Sequence, residues 1–159
     1  MGEIEREILN PQLSPSNLFE EYSMPAFDMD RRPAYVLGKD MLSTRFKIQR
    51  SSLLINKLNV RHRRIWLVDA PSENAICSSE FLPFVSGVVN LEFLKAFFLS
   101  DETTKKMEEL STGTSNSQNR VSPKDIINFK IPLPTLPEQE AIGSFFSDLD
   151  QLITLHQRK

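Results

Sequence analysis

Between residues 34 and 85 short apolar runs alternate with breaker clusters, and after residue 90 the apolar spacing lengthens to that of helices. Ala34 to Leu37, Phe46 to Gln49, Leu53 to Leu58, Arg64 to Val68, Ala75 to Ser78 and Phe81 to Val85 are rich in residues that suit a pleated surface. They predict the strands of a curved, mainly antiparallel sheet system. Asn90 is placed to cap a helix from Leu91 to Ser100, with Leu91, Phe93, Leu94, Phe97 and Phe98 inward, and Asp101 to Leu110 continues as a more polar helix. Ser122, Pro123 and Asp125 open a further short helix by the Ser-x-x-acid rule. The acidic lead-in, Met1 to Asp30, carries Pro11, Pro15 and Pro25 and predicts no more than a short helix near Ser16 to Tyr22.

The end of the chain is the most sharply specified part. Pro132, Pro134 and Pro137 fix φ and withhold amides, so Phe129 to Thr135 travels extended and no helix starts before Thr135. Thr135 and Glu138 form a capping box, with Pro137 where no intrahelical donor is needed. Beyond it Ile142, Phe145, Phe146, Leu149, Leu152, Ile153 and His156 recur at spacings of three and four and make one apolar seam. From Leu136 to Lys159 the helix extends about 36 Å, more than a compact domain of this size needs for its own core, so its far end calls for a partner helix. The expected class is α/β in the α+β sense: a globular domain over residues 1–134 and a long helix over 135–159.

Composition narrows the class without changing the fold. The chain has 159 residues, ordinary hydrophobic and charged content and one cysteine, Cys77. That excludes an intrachain disulfide and suits the cytoplasm; Cys77 reads as core filler. The N-terminus is acidic, without a secretory pattern, and the most apolar window, Phe81 to Leu99, is interrupted by Asn90, Glu92 and Lys95, so no membrane span is expected. Only five glycines are present and no two cluster, which argues against a cofactor-binding turn. Asp69 and Glu73 come nearest to a nuclease carboxylate pair but lack a following Lys, and His62 and His156 do not suggest a shared metal, so no cofactor or metal is expected.

Charge is where chemistry enters. Residues 31–64 hold ten Lys and Arg, among them Arg45, Lys47, Lys57, Arg61, Arg63 and Arg64, against Asp40 alone. The tract therefore carries +9, and with an overall −2 the remainder carries −11. Such segregation predicts a basic face on an acidic body, the footprint of phosphate binding, although Lys and Arg on strands also serve solubility and edge protection. The polar loop from Ser111 to Arg120 includes Thr114, Ser115, Asn116, Gln118, Asn119 and Arg120, side chains that read base edges and hold phosphates. We expect this loop and the Lys57–Arg64 cluster to lie on one face and straddle a duplex.

The strap and helix start closely resemble the segment by which specificity subunits of type I restriction-modification enzymes leave a target-recognition domain and enter a spacer helix. The likeness rests on Ile131, Pro132, Leu133, Pro134, Leu136, Pro137, Glu138, Gln139, Ile142, Leu149, Asp150 and the closing His156 to Lys159. Leu53 to Leu58, Cys77 to Phe81 and Gln118 to Ser122 are similar to recurring family segments upstream. The resemblance implies a non-catalytic domain that chooses double-stranded DNA sequences for separate methyltransferase and restriction subunits. A complete subunit of that family has two such domains and two antiparallel spacer helices, so this chain looks like one half, either a natural half-subunit or an isolated domain. Pairing of two copies through Ile142, Phe145, Phe146, Leu149, Leu152 and Ile153 is then expected. The alternative is a structural or protein-interaction module that docks a partner through the same helix.

Overall fold

The computed structural model describes residues 2–112 and 119–157 and contains two sheets and five α-helices among them. One sheet has four strands in the order β1 (Glu3–Ile4), β9 (Phe81–Val85), β6 (Ser52–Asn56) and β7 (Ile65–Val68), all antiparallel. The other has five: β2 (Ile8–Leu9), β5 (Arg45–Lys47), β8 (Ala75–Cys77), β3 (Leu18–Tyr22) and β4 (Ala34–Leu37). The expected antiparallel pairing holds throughout except for β3 and β8, which run parallel.

Burial explains why β6 and β9 read as unbroken apolar runs: every residue of both is buried. Leu53, Ile55, Leu82 and Phe84 join Phe93, Leu94 and Phe98 of α2 (Leu91–Phe98), Met107 of α3 (Asp101–Leu110) and Ile126 of α4 (Pro123–Ile127) in the main core. Leu54, Trp66 and Phe81 instead meet Tyr22, Ala75 and Cys77 of the second sheet and Phe27 of α1 (Met24–Asp30). The alternation of strand side chains thus divides one sheet between a helical layer and a second sheet.

The lead-in departs from expectation. Leu18–Tyr22 is a strand, not a helix, and the lead-in supplies β1, β2, β3 and α1. Phe19 and Glu21 are buried from one side of β3, and Arg45 satisfies the Glu21 carboxylate at 2.7 Å, so sheet pairing overrides the helix preference of Glu20 and Glu21. The helix begins just after the strand, where Ser23 Oγ accepts from Ala26 N and Pro25 occupies the first turn.

At the far end the capping box forms as expected: Thr135 N donates to Glu138 Oε2 at 3.2 Å, and Glu138 N lies 3.4 Å from Thr135 Oγ1. The helix α5 (Leu136–Gln157) follows.

Candidate nucleic-acid interface

Several chain reversals meet at one end of the two sheets. β3 ends at Tyr22 beside Cys77, β4 starts one residue short of that end, with Ala34 opposite Glu21, and β5 starts with Arg45 next to the Phe46–Cys77 pair. β6 ends at Asn56 opposite Phe81, and β7 starts at Ile65 opposite Ile55. Residues 78–80 join β8 to β9 at this same end. Helix α1, the 57–64 connection and the start of β5 are therefore gathered at a common tip.

The 57–64 connection is a single 3-10 turn, Val60–His62, bracketed by Asn59 (φ 49°) and Arg63 (φ 52°). Left-handed backbone at non-glycine residues costs about 1 kcal/mol or more each and persists only where surroundings enforce it. Here Val60 is anchored in the main core, and His62 N and Arg63 N donate to Asn59 O and Val60 O. The base of the polar loop is stitched to this turn. Asn59 N donates to Asn119 O at 2.8 Å, Val121 N donates to Lys57 O at 2.9 Å, and Thr112 pairs with Arg120. The two segments expected to share a face are adjacent at the loop's base; Thr114, Ser115, Asn116 and Gln118 lie outside the described residues.

The cations are less free than their order in the chain implies. Arg64 Nε and Nη2 donate to the two carboxylate oxygens of Asp28 at 3.0 and 2.9 Å, which holds that carboxyl below its ordinary pKa. Arg63 Nη2 donates to Asp101 at 2.6 Å. Arg120 forks onto Glu80 at 2.9 and 3.2 Å, which pushes the guanidinium pKa higher still. Arg45 is tied to Glu21 and to the Ser43 carbonyl, so it holds its own loop together, and Lys47 faces Glu7 at 3.5 Å. Arg50 pairs with Glu5 as well, and the acids that meet the tract, Glu5, Glu7, Glu21, Asp28 and Asp101, all come from outside it. The +9 of the tract is therefore much reduced in space. Among the described residues Lys57 and Arg61 form no ion pair.

Helix α5 supplies a second surface. It docks on α2 through the buried Gln139 and Gly143, and of the apolar seam Phe146 lines the gap between the two helices. Gln139 is buried, donating to Pro134 O at 2.9 Å and accepting from Asn90 N at 3.0 Å. A Cβ on Gly143 would stand 2.9 Å from Glu92 Cβ and 3.0 Å from Phe93 N, so only glycine permits this crossing. Asp150 faces Lys95 at 3.6 Å across a cavity of about 200 Å³. The seam residues Ile142, Phe145, Phe146, Leu149, Leu152 and Ile153 remain between 37% and 63% exposed.

Other residues are settled by burial. Trp66 is core, stacked edge-on with Tyr22 and Phe27, and burial raises the Cys77 thiol pKa well above ordinary, so it stays an inert thiol. Among the described residues no cluster of His, Cys, Asp and Glu is arranged to hold a metal, and no helix is long and apolar enough to cross a membrane. Sequence reasoning missed Asp28, Glu80 and Asp101. The signals that could have located two of them went unread: Ser23 with Pro25 starts α1, and Ser100 caps α3.

The fold and its surfaces define an α+β domain with a polar, arginine-bearing tip and a separate helix whose apolar side faces outward. Residues 71–159 match the family described as the type I restriction modification DNA specificity domain, and the chain belongs to that family. It is similar to the HsdS subunit from Thermoanaerobacter tengcongensis, at 26% identity and a TM-score of 0.74 over 98% of this chain and 41% of that one. It is similar too to a chain in a structure described as the structural basis underlying complex assembly and conformational transition of the type I R-M system, at 26% identity and a TM-score of 0.77 over 99% and 42%. The chain thus spans about two fifths of the length of the solved structures it matches. No curated protein sequence matches it.

Proposed function

We propose that residues 1–134 read a DNA sequence and that residues 135–159 begin the helix connecting this domain to the rest of a type I restriction-modification assembly. The chain has no catalysis of its own on this reading and works in the cytoplasm, directing methyltransferase and restriction subunits to a target. The observation that carries it is the convergence of the Lys57–Arg64 turn and the Asn119–Arg120 loop base, joined by the Asn59–Asn119 and Lys57–Val121 backbone bonds. Lys57, Arg61, Arg63, Arg64 and Arg120 supply phosphate-binding and guanine-reading groups there, and Asn119 has the amide that pairs with adenine. Arg45 supports the tip through its pair with Glu21, whereas Lys47 pairs with Glu7 two residues further from it.

The exposed seam of α5 supports helix pairing, either with a second copy of this chain or with a spacer helix of a longer subunit. A salt-titrated binding assay separates the roles at the tip. Arg61→Ala should weaken binding and flatten the salt slope by about one, whereas Asn119→Ala should change the sequences recovered by selection with the reconstituted methyltransferase complex. Identical behaviour of the two variants would remove this division of labour.

A further inference from the structure

The carboxylates at the tip need explaining, because a duplex repels them. Asp28 accepts both bonds of the Arg64 fork, and Asp101 accepts from Arg63. The acid side chains are 52% and 91% exposed, against 16% and 39% for Arg64 and Arg63, so each pair opens to water on its carboxylate side and contributes modestly to folding. Each nevertheless weakens any encounter with phosphate twice over, by occupying a guanidinium and by adding negative charge beside it. A guanidinium fork grips carboxylate and phosphate with the same bidentate geometry. A phosphate seated in register therefore displaces the carboxylate, whereas one passing at a poor distance does not.

We propose that Asp28 and Asp101 are specificity-determining residues that keep Arg64 and Arg63 occupied until a well-fitted duplex takes them over. The inference rests on the reading of the tip as a DNA-binding surface. Nonspecific affinity is almost entirely phosphate electrostatics, whereas specific binding adds base contacts, so lowering the phosphate contribution widens the ratio between the two. Glu80 is a different case. Its carbonyl accepts from Lys57 N at 3.0 Å while its carboxylate holds Arg120, so it fixes the base of the loop as well as neutralising a cation.

The test measures binding of the full chain to a random-sequence duplex across a salt series, with melting curves to establish that each variant is folded. Asp28→Asn and Asp101→Asn should each bind roughly threefold tighter or better at low salt, with a slope steeper by about one for the released arginine. The gain from Asp28→Asn should vanish in an Arg64→Ala background, since the effect passes through that guanidinium. Asp69→Asn, which makes the same charge change at the other end of β7, should leave affinity unaltered. Unchanged or weaker binding by the two variants, while the unsubstituted chain binds, would mean that the acids merely orient their arginines and would overturn the proposal. A gain that survives Arg64→Ala, or that Asp69→Asn reproduces, would reduce it to net charge and overturn it equally. If neither the unsubstituted chain nor any variant binds even at low salt, the DNA-binding reading itself fails and this inference falls with it.

Discussion

Gln139 shows how much one polar side chain can hold. Its amide closes two backbone groups, the Pro134 carbonyl and the Asn90 amide, and so locks the strap, the start of α5 and the start of α2 together. Gln139→Ala leaves both without that partner in a buried place, and we expect it to destabilise the domain by about 1–3 kcal/mol in denaturant unfolding. An unchanged midpoint would show that the lock is dispensable. The Arg64–Asp28 pair has a pH signature instead. Asp28 is held below its unfolded pKa, so the folded state binds fewer protons across that window; the contribution is fully present above the ordinary carboxylate range and disappears as pH falls through the folded value. The decline in stability on acidification should therefore be shallower in Asp28→Asn than in the unsubstituted chain. Because the Asp28 carboxylate is half exposed, the difference will be small, and its sign is what counts.

At the level of elements, most of the fold was legible because the signals were local. Breaker residues delimited six strands to within two residues at each end, and Asn90, Ser122 and Thr135 all accept the amide hydrogen bonds that capping predicts. Leu18–Tyr22 was not legible, since its partners β4 and β8 and the cation that neutralises Glu21 are distant in sequence. The seam of α5 was read correctly as an apolar stripe, yet the residues buried against α2 are Gly143 and Gln139, and the stripe meets that contact at its Phe146 edge. A small residue at a crossing is a weak sequence signal because its effect appears only once the second helix is placed. The outward stripe yields a prediction at this scale. Leu149→Glu should shift self-association toward monomer in sedimentation while sparing the melting temperature, because Leu149 is exposed and the docking contacts are on other residues. A chain that is monomeric with or without the substitution would confine pairing to a partner helix from another chain.

For the molecule as a whole, chain order overstated the charge and understated its organisation. The basic tract looked like a free cationic face, but the fold brings acids from before and after it to Arg45, Lys47, Arg63 and Arg64. The tip becomes a mosaic in which Lys57 and Arg61 stay unpaired among the described residues, on a body whose overall charge is −2. Binding to a polyanion then depends on where charge sits and not on its sum, since screening confines each contact to about 10 Å at moderate salt. Arg61→Glu and Lys39→Glu provide the comparison, because each lowers net charge by two. Arg61 is in the tip turn, whereas Lys39 follows β4 at the opposite end of its sheet, where Leu37 pairs with Leu18. We expect Arg61→Glu to weaken duplex binding about tenfold or more at moderate salt and Lys39→Glu to change it less than about twofold. Equal losses would mean that the whole surface, and not the tip, meets the DNA.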